Sequence, residues 1–380
     1  MANQDSHSLV ARVRAFASEH LAHRGDLALW DRFPHDLWTR MGELGLCAMA
    51  VPERFGGAGA GYGLLARSLD ALVFSGKNLG IAASLMLNNL VALFAIDRLG
   101  TEDQKADFLP AIADGSSIAC LAMSEPKTGA HPGRMRTQAR REEGFFVLDG
   151  EKAYLTNGPV AGLFVVAAVT GEEKGRKQIS AFLLPRRTPG LTVGADMGLD
   201  FLRPSPHGPI TLDGCRVPEG YLLGTPGTAW EDLIKPFRTV EDVLMMAAAA
   251  GGMDLQLSLL TEIMAGKKEP PTLDMVRALG LFACLVATLR TMAFEAADLL
   301  DQDFRSPKAE QLSLAARFIS RDVQSLVNRL LGESSLDKES ELYLITQDLR
   351  KSSEIAKNAE TAKQERMGSE ILARVRSKRE

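Results

Sequence analysis

Cysteine is scarce in this chain. Its four copies (Cys47, Cys120, Cys215 and Cys284) are widely spaced in apolar settings with no CxxC pair, so there is no disulfide framework and no metal site is expected. They read as buried free thiols in a reducing compartment, with the cytoplasm as the expected location. Excess charge is also missing. Lys and Arg number 44 against 48 Asp and Glu, for a net charge of −4 and a pI near 6.0. That balance leaves no electrostatic footprint for nucleic acid, and the basic end from Arg374 to Arg379 reads as a solvated helix end. No unbroken apolar stretch reaches the roughly 18 to 20 residues of a membrane span, so none is expected. The opening MANQDSHSLVARVRAF has no secretory apolar region, and export is not expected. Phe55-Gly56-Gly57-Ala58-Gly59 has no Lys-Ser/Thr behind it and no strand–helix unit around it. It reads as a turn between helices rather than a phosphate loop.

What is present is a globular composition, 46% apolar and 24% charged, long enough for two or three packed units. Residues 5 to 115 read as helical, with stripes at Leu9-Val10-Val13-Phe16-Ala17 and Leu37-Trp38-Met41-Leu44. A long apolar helix follows from about Leu64 to Leu99, interrupted near Gly76 to Gly80, and Thr101 to Gln104 is a capped helix start. From residue 116 short strand candidates alternate with glycine and proline: Leu163–Thr170, Gln178–Leu184, Leu191–Gly194 and Pro209–Leu212. Beyond Glu231 the chain is helical again, with Gly251-Gly252 permitting close helix packing and Pro270-Pro271 separating two long helices. The expectation is an α+β fold: an N-terminal α-helical domain (1–115), a middle β-barrel or sandwich (116–226) and a C-terminal four-helix bundle (227–380).

Cys120 to Gly158 is the stretch around which the rest is organised. An apolar strand, Ile118 to Met123, stops at Ser124-Glu125-Pro126, and Lys127-Thr128-Gly129 forms a turn. Phe145-Phe146-Val147-Leu148 then leads through Asp149-Gly150, a strong turn dipeptide, to Lys152-Ala153-Tyr154-Leu155-Thr156-Asn157-Gly158. Strand ends carrying amides, hydroxyls and one aromatic ring suit a flat, polar-edged cofactor; they equally suit an ordinary antiparallel sheet with polar ends.

Ser124-Glu125-Pro126-Lys127-Thr128-Gly129-Ala130-His131 and Leu148-Asp149-Gly150-Glu151-Lys152-Ala153-Tyr154-Leu155-Thr156-Asn157-Gly158 resemble, in order and spacing, the flavin-binding motifs of the acyl-CoA dehydrogenase family. Gly45-Leu46 through Val51-Pro52-Glu53 to Gly59, Leu99-Gly100-Thr101-Glu102 with Leu109-Pro110, and Val217-Pro218 with Leu222-Leu223-Gly224 are similar to further family patterns. The likeness is dense to about residue 230 and architectural beyond it. It implies FAD as cofactor and α,β-dehydrogenation of an acyl-CoA thioester. It also implies electron delivery to an electron-transfer flavoprotein and a dimer or tetramer, formed with itself or with a second family member.

The same resemblance assigns site residues. Met123, Ser124 and Thr156 would meet the flavin edge, and Tyr154 stands for a ring-covering Trp. Lys267, Arg329 and Gly332 would face the diphosphate half in a neighbouring subunit, where Pro270-Pro271 and Glu333 depart from the family pattern. Lys267 and Arg329 also read as solvated helix-end cations. Ala130 replaces a serine on the phosphate or thioester side. Registration on Leu330-Leu331-Gly332 and Gln347-Asp348-Leu349-Arg350 sets Ala356 where many members carry their base. Glu241, ten residues before Gly251, occupies the alternative position used by a minority of members, with Asp242 where those carry arginine. A first-turn glutamate favoured by the helix dipole gives the same register. Three readings follow: a self-sufficient dehydrogenase with Glu241 as base, a half-site or non-catalytic subunit of a hetero-oligomer, and a flavin-free acyl-CoA-binding protein.

Overall fold

The computed structural model describes residues 2–331, 337–354 and 357–376. The first part of the chain gives α1 (Ala2–Phe16), α2 (His35–Glu43), α3 (Tyr62–Gly76), α4 (Leu79–Leu90) and α5 (Glu102–Ala113). The interruption after α3 falls where the glycines place it. Lys77 takes a left-handed φ of 57°, and Asn78 restarts the helix by accepting 2.8 Å from the Ile81 N–H. Helix α4 then widens into a π-helical turn at Val91–Asp97. Thr101 and Gln104 form a reciprocal capping box on α5, and the Gln104 amide donates to the Gly220 and Leu222 carbonyls, docking this helix on the β domain.

Two buried asparagines organise the junction. The Asn89 side chain accepts from the Ala50 N–H and donates to the Leu46 carbonyl, while Asn88 donates to the Cys47 carbonyl and accepts from the Ala119 N–H. These four bonds satisfy backbone groups in the turns of the 46–50 segment and at the next strand, which would otherwise be buried unpaired. They also correct the expectation about apolar length. Leu79–Asp97, Trp230–Ala265 and Leu273–Gln302 are each long and apolar enough to cross a membrane. Polar residues such as Asn88 and Asn89 break the run, yet the mean hydropathy still reaches 2.0 over the first of these helices. That window is 94% buried inside the fold, whereas the one in Leu273–Gln302 is only 22% buried.

The middle of the chain forms one eight-stranded sheet from β1 (Ala119–Ala122), β2 (Gln138–Glu142), β3 (Phe145–Thr156), β4 (Leu163–Glu173), β5 (Arg176–Pro185), β6 (Leu191–Val193), β7 (His207–Pro218) and β8 (Leu222–Leu223). Its order is β6-β7-β3-β2-β4-β5-β8, with β1 parallel to β4. The β2–β4 junction rests on one register pair, Gln138 with Val169, so the sheet folds there into two facing halves. Phe146 and Phe182, one from each half, meet edge-on at 5.0 Å within a separate apolar core. Asp149-Gly150 is not a turn. It lies inside β3 as a bulge, with Gly150 at φ 146° and no room for a Cβ beside Thr137. Tertiary closeness overrides the dipeptide's local preference.

The C-terminal helices are α6 (Lys235–Ala265), α7 (Leu273–Gln302), α8 (Pro307–Leu331), α9 (Glu341–Glu354) and α10 (Lys357–Arg376). The charged closing stretch is thus two helices, and α9 packs on α6 through Ile345 and Leu349 against Gly252. A Cβ on Gly251 would collide with the Asp70 backbone carbonyl, which is why α3 and α6 approach so closely. Gln256 and Gln324 exchange amide hydrogen bonds between α6 and α8, and Gln256 also donates 2.8 Å to Thr346. Cys47, Cys120 and Cys215 are buried free thiols, but Cys284 is exposed. It lies on the outer face of α7, whose apolar character misleads a reading from sequence.

Candidate functional site

The face formed by the ends of β1 and β3 is held from behind by a buried ion pair. Lys152, wholly buried, donates 3.1 Å to Glu125 and 3.2 Å to the Met123 carbonyl. Glu125 also accepts from the Arg136 and Thr137 N–H groups and from the Thr137 hydroxyl at 2.6 Å. Burial opposes ionisation of Glu125, but Lys152 and these donors outweigh it and hold the carboxyl below its ordinary range. Burial pushes Lys152 down to about 8 against the pull of Glu125. Neither residue stands out from its motif in sequence, and together they fix both strand ends.

On the outer side Met123 and Ser124 are half-buried, and the Ser124 carbonyl accepts from the Ala153 N–H. Tyr154 takes a left-handed φ of 61° at a second irregularity of β3, between Lys152 and Leu155. The bulge turns its ring out of the sheet, 57% exposed. Thr156 is half-buried, its hydroxyl 2.9 Å from His207 Nε2. A large ring presented to solvent on a strained backbone, flanked by two half-open hydroxyls, fits the ring end of a flavin. Ala130 is buried beside the Lys127-Thr128-Gly129 turn and offers shape alone.

Glu241 lies on α6, and not in its first turn. A π-helical turn at Trp230–Ile234 runs directly into Lys235–Ala265, so the N–H groups left free at the helix start are well behind it. The helix dipole therefore gives no account of this carboxylate, since its effect fades within one turn. Glu241 keeps part of its surface open within dense surroundings. Its pKa is pushed up to about 7, first by burial and then by the Asp242 carboxylate, against Arg238, Lys363 and Arg317. Asp242 itself is ion-paired to Arg317 of α8 at 2.9 Å and to Lys363 of α10 at 2.7 Å. The cation absent from position 242 is thus returned by two other helices, 75 and 121 residues away. Arg321 and Glu360 add a second rung between α8 and α10.

The helix α4 and its π-helical continuation join the two halves of the site. Ser84 meets the Asn157 side chain beside Thr156, and Phe94 packs on Phe237, one turn before Glu241. Lys267 and Arg329 are not part of this assembly. Both are exposed, and Lys267 follows the far end of α6, roughly 36 Å along the helix from Glu241. The ring end of FAD thus fits this chain, while contacts from Lys267 or Arg329 to its phosphates require another copy. Gly332 and Ala356 lie outside the described residues. The described residues contain no His/Cys/Asp/Glu group of metal-binding shape. Arg317, Lys363 and His207 carry no sequence signal, because only the tertiary fold brings them to the site, whereas Arg238 stands three residues before Glu241 on the same helix.

Residues 3–116 match the family model for the acyl-CoA dehydrogenase N-terminal domain, and residues 120–215 match the model for the acyl-CoA dehydrogenase middle domain. The short-chain specific acyl-CoA dehydrogenase of Rattus norvegicus mitochondria is 38% identical over 199 residues, 52% of this chain and 48% of that protein. The chain thus spans about half the length of the curated relatives it matches. In three dimensions the likeness is wider. Butyryl-CoA dehydrogenase from Megasphaera elsdenii superposes with a TM-score of 0.87 at 20% identity, covering 97% of this chain and 98% of that one. A structure of PigA with FAD and proline gives 0.85 at 22% identity, with the same coverage.

Proposed function

Because this chain belongs to the acyl-CoA dehydrogenase family, we propose that it is an FAD-dependent oxidoreductase that introduces a Cα–Cβ double bond into an acyl-CoA thioester, with Glu241 as the base. The observation that carries this reading is Glu241 itself: a carboxylate well inside a helix, unexplained by the dipole, with a pKa brought to about 7. A base poised there is half ionised near neutral pH and holds the abstracted α-proton firmly. Bound FAD supplies the acceptor for the β-hydride, and an electron-transfer flavoprotein is the proposed partner that reoxidises it. Tyr154, Ser124, Thr156 and Met123 are the residues that would hold the ring, the first against a face and the others along its edge. Arg317 and Lys363, tied by Asp242, keep the carboxylate pair from carrying an uncompensated double charge. The three buried thiols support a reducing compartment, and we place the protein in the cytoplasm.

A second reading is favoured by one observation. Lys267 and Arg329 are remote from the strand ends within one chain, which supports an oligomer completed by another copy or by a second family member. A chain that only lends half of such a site would hold flavin poorly alone. A flavin-free acyl-CoA-binding protein is the third reading. The test is a visible spectrum of the purified protein supplied with FAD, followed by anaerobic addition of acyl-CoAs of graded chain length. Bleaching abolished in Glu241→Gln and retained in Glu354→Gln, whose glutamate is exposed at the end of α9, supports the enzyme. A flavin band that no thioester bleaches supports the half-site. Absence of any band with excess FAD overturns the self-sufficient dehydrogenase.

A further inference from the structure

His207 is buried directly behind Thr156, and its hydrogen bonds have only one consistent arrangement. The two residues are the last register pair between β3 and β7. His207 Nδ1 lies 3.0 Å from the Ser205 carbonyl, and Nε2 lies 2.9 Å from the Thr156 hydroxyl. A carbonyl oxygen only accepts, so Nδ1 carries the proton. In a neutral imidazole Nε2 is then an acceptor, and the Thr156 hydroxyl must spend its single hydrogen on it. Burial holds the ring below its ordinary pKa, against the Ser205 carbonyl and Asp196, which keeps it neutral at pH 7. The support is rigid. The His207 N–H donates 3.1 Å to Asp196, and the Ser205 hydroxyl accepts 2.8 Å from Ser84 of α4.

We propose that His207 is a positioning residue that fixes the polarity of the Thr156 hydroxyl, so that the open face offers lone pairs and no hydrogen at this point. The group it favours is a hydrogen-bond donor. This proposal rests on the flavin reading above, in which Thr156 would meet the ring edge: ring nitrogens that accept in an oxidised flavin become N–H donors on reduction, and a fixed lone pair would favour such a donor. The pair therefore stabilises the reduced form of the bound cofactor relative to the oxidised form. A threonine free to rotate would serve both states and discriminate less.

Two measurements test this. Histidine-labelled NMR of the whole protein reads the tautomer directly, with or without flavin. A protonated Nδ1 and bare Nε2 at neutral pH is the expected result; a protonated Nε2 at neutral pH overturns the proposal. Potentiometry of the flavin-loaded protein reads the consequence. Thr156→Val and His207→Ala each lower the midpoint potential, and the double variant matches Thr156→Val alone, because His207 acts through the hydroxyl. Additive shifts, or unchanged potentials in variants that still bind flavin, overturn it. Failure to load flavin at all would instead count against the proposed function, and leaves the NMR outcome decisive for the tautomer.

Discussion

Glu241 is where a single side chain decides most. Replacing it with glutamine keeps size and hydrogen bonding but removes the base, and acyl-CoA-dependent bleaching is expected to slow about 10²–10⁴-fold. In the native protein the bleaching rate should rise with pH through about 7, as the carboxyl ionises. Stability moves the other way. A carboxyl whose folded pKa is raised from 4.5 to about 7 binds its proton more tightly when folded, so stability falls as pH rises across that window and levels off above it. Glu241→Gln should therefore raise the melting temperature at pH 8 and change it little at pH 4.5; an equal shift at both would mean that the carboxyl is not strained. Lys152 makes the contrasting case. Lys152→Met strands a buried Glu125 and is expected to cost about 3–5 kcal/mol in urea unfolding. Legibility at this scale depends on distance along the chain. Ser124, Tyr154 and Thr156 are visible because their motifs are contiguous. Arg317 and Lys363 are not, since no local pattern points from Asp242 to residues on α8 and α10.

Among the elements, α6 carries the most because α3, α4, α7, α8 and α9 all pack along it. Its register against α3 is set where Gly251 faces the Asp70 carbonyl, and backbone there cannot yield to a side chain. Gly251→Ala is expected to cost about 1–3 kcal/mol through overpacking. Gly252→Ala meets only the ends of Ile345 and Leu349 side chains at 3.3 Å, and should cost clearly less in the same urea melts. Sequence pattern indicates the small residues, yet it does not tell which glycine faces backbone. It also misreads the position of Glu241 within α6. The chain reads as helical from Glu231, yet Glu241 reads as a first-turn glutamate until the helical turn at Trp230–Ile234 is seen to run straight into Lys235–Ala265. The error at Asp149-Gly150 has the same origin. A strong local preference yields to a close approach, here by Thr137, that only the assembled sheet reveals. Strand positions with alternating or fully apolar faces, such as Leu163 to Thr170, carry their own signal and fall inside β4.

At the scale of the whole molecule, the outer face of α7 and the ends of α6 and α8 pose one question. Leu273, Val276 and Leu281 are 63%, 48% and 49% exposed on a helix apolar enough to be buried. Lys267 follows the far end of α6 and Arg329 sits exposed in the last turn of α8, both away from the strand ends of their own chain. A covered α7 face and a phosphate contact supplied between copies account for both facts at once. Leu281→Glu places a charge in that face and is expected to convert the protein to monomers in light scattering, with the flavin-to-protein ratio falling in step. Lys267→Ala should leave the assembly intact and raise the FAD Kd about 10-fold or more, the loss of one charge-assisted hydrogen bond. The two variants separate the links of the argument. Flavin lost from an intact Lys267→Ala oligomer places the contact between copies, whereas flavin retained by a Leu281→Glu monomer shows that one chain holds its cofactor alone. In that case the exposed face of α7 serves another partner, and the self-sufficient reading of the site is the one that stands.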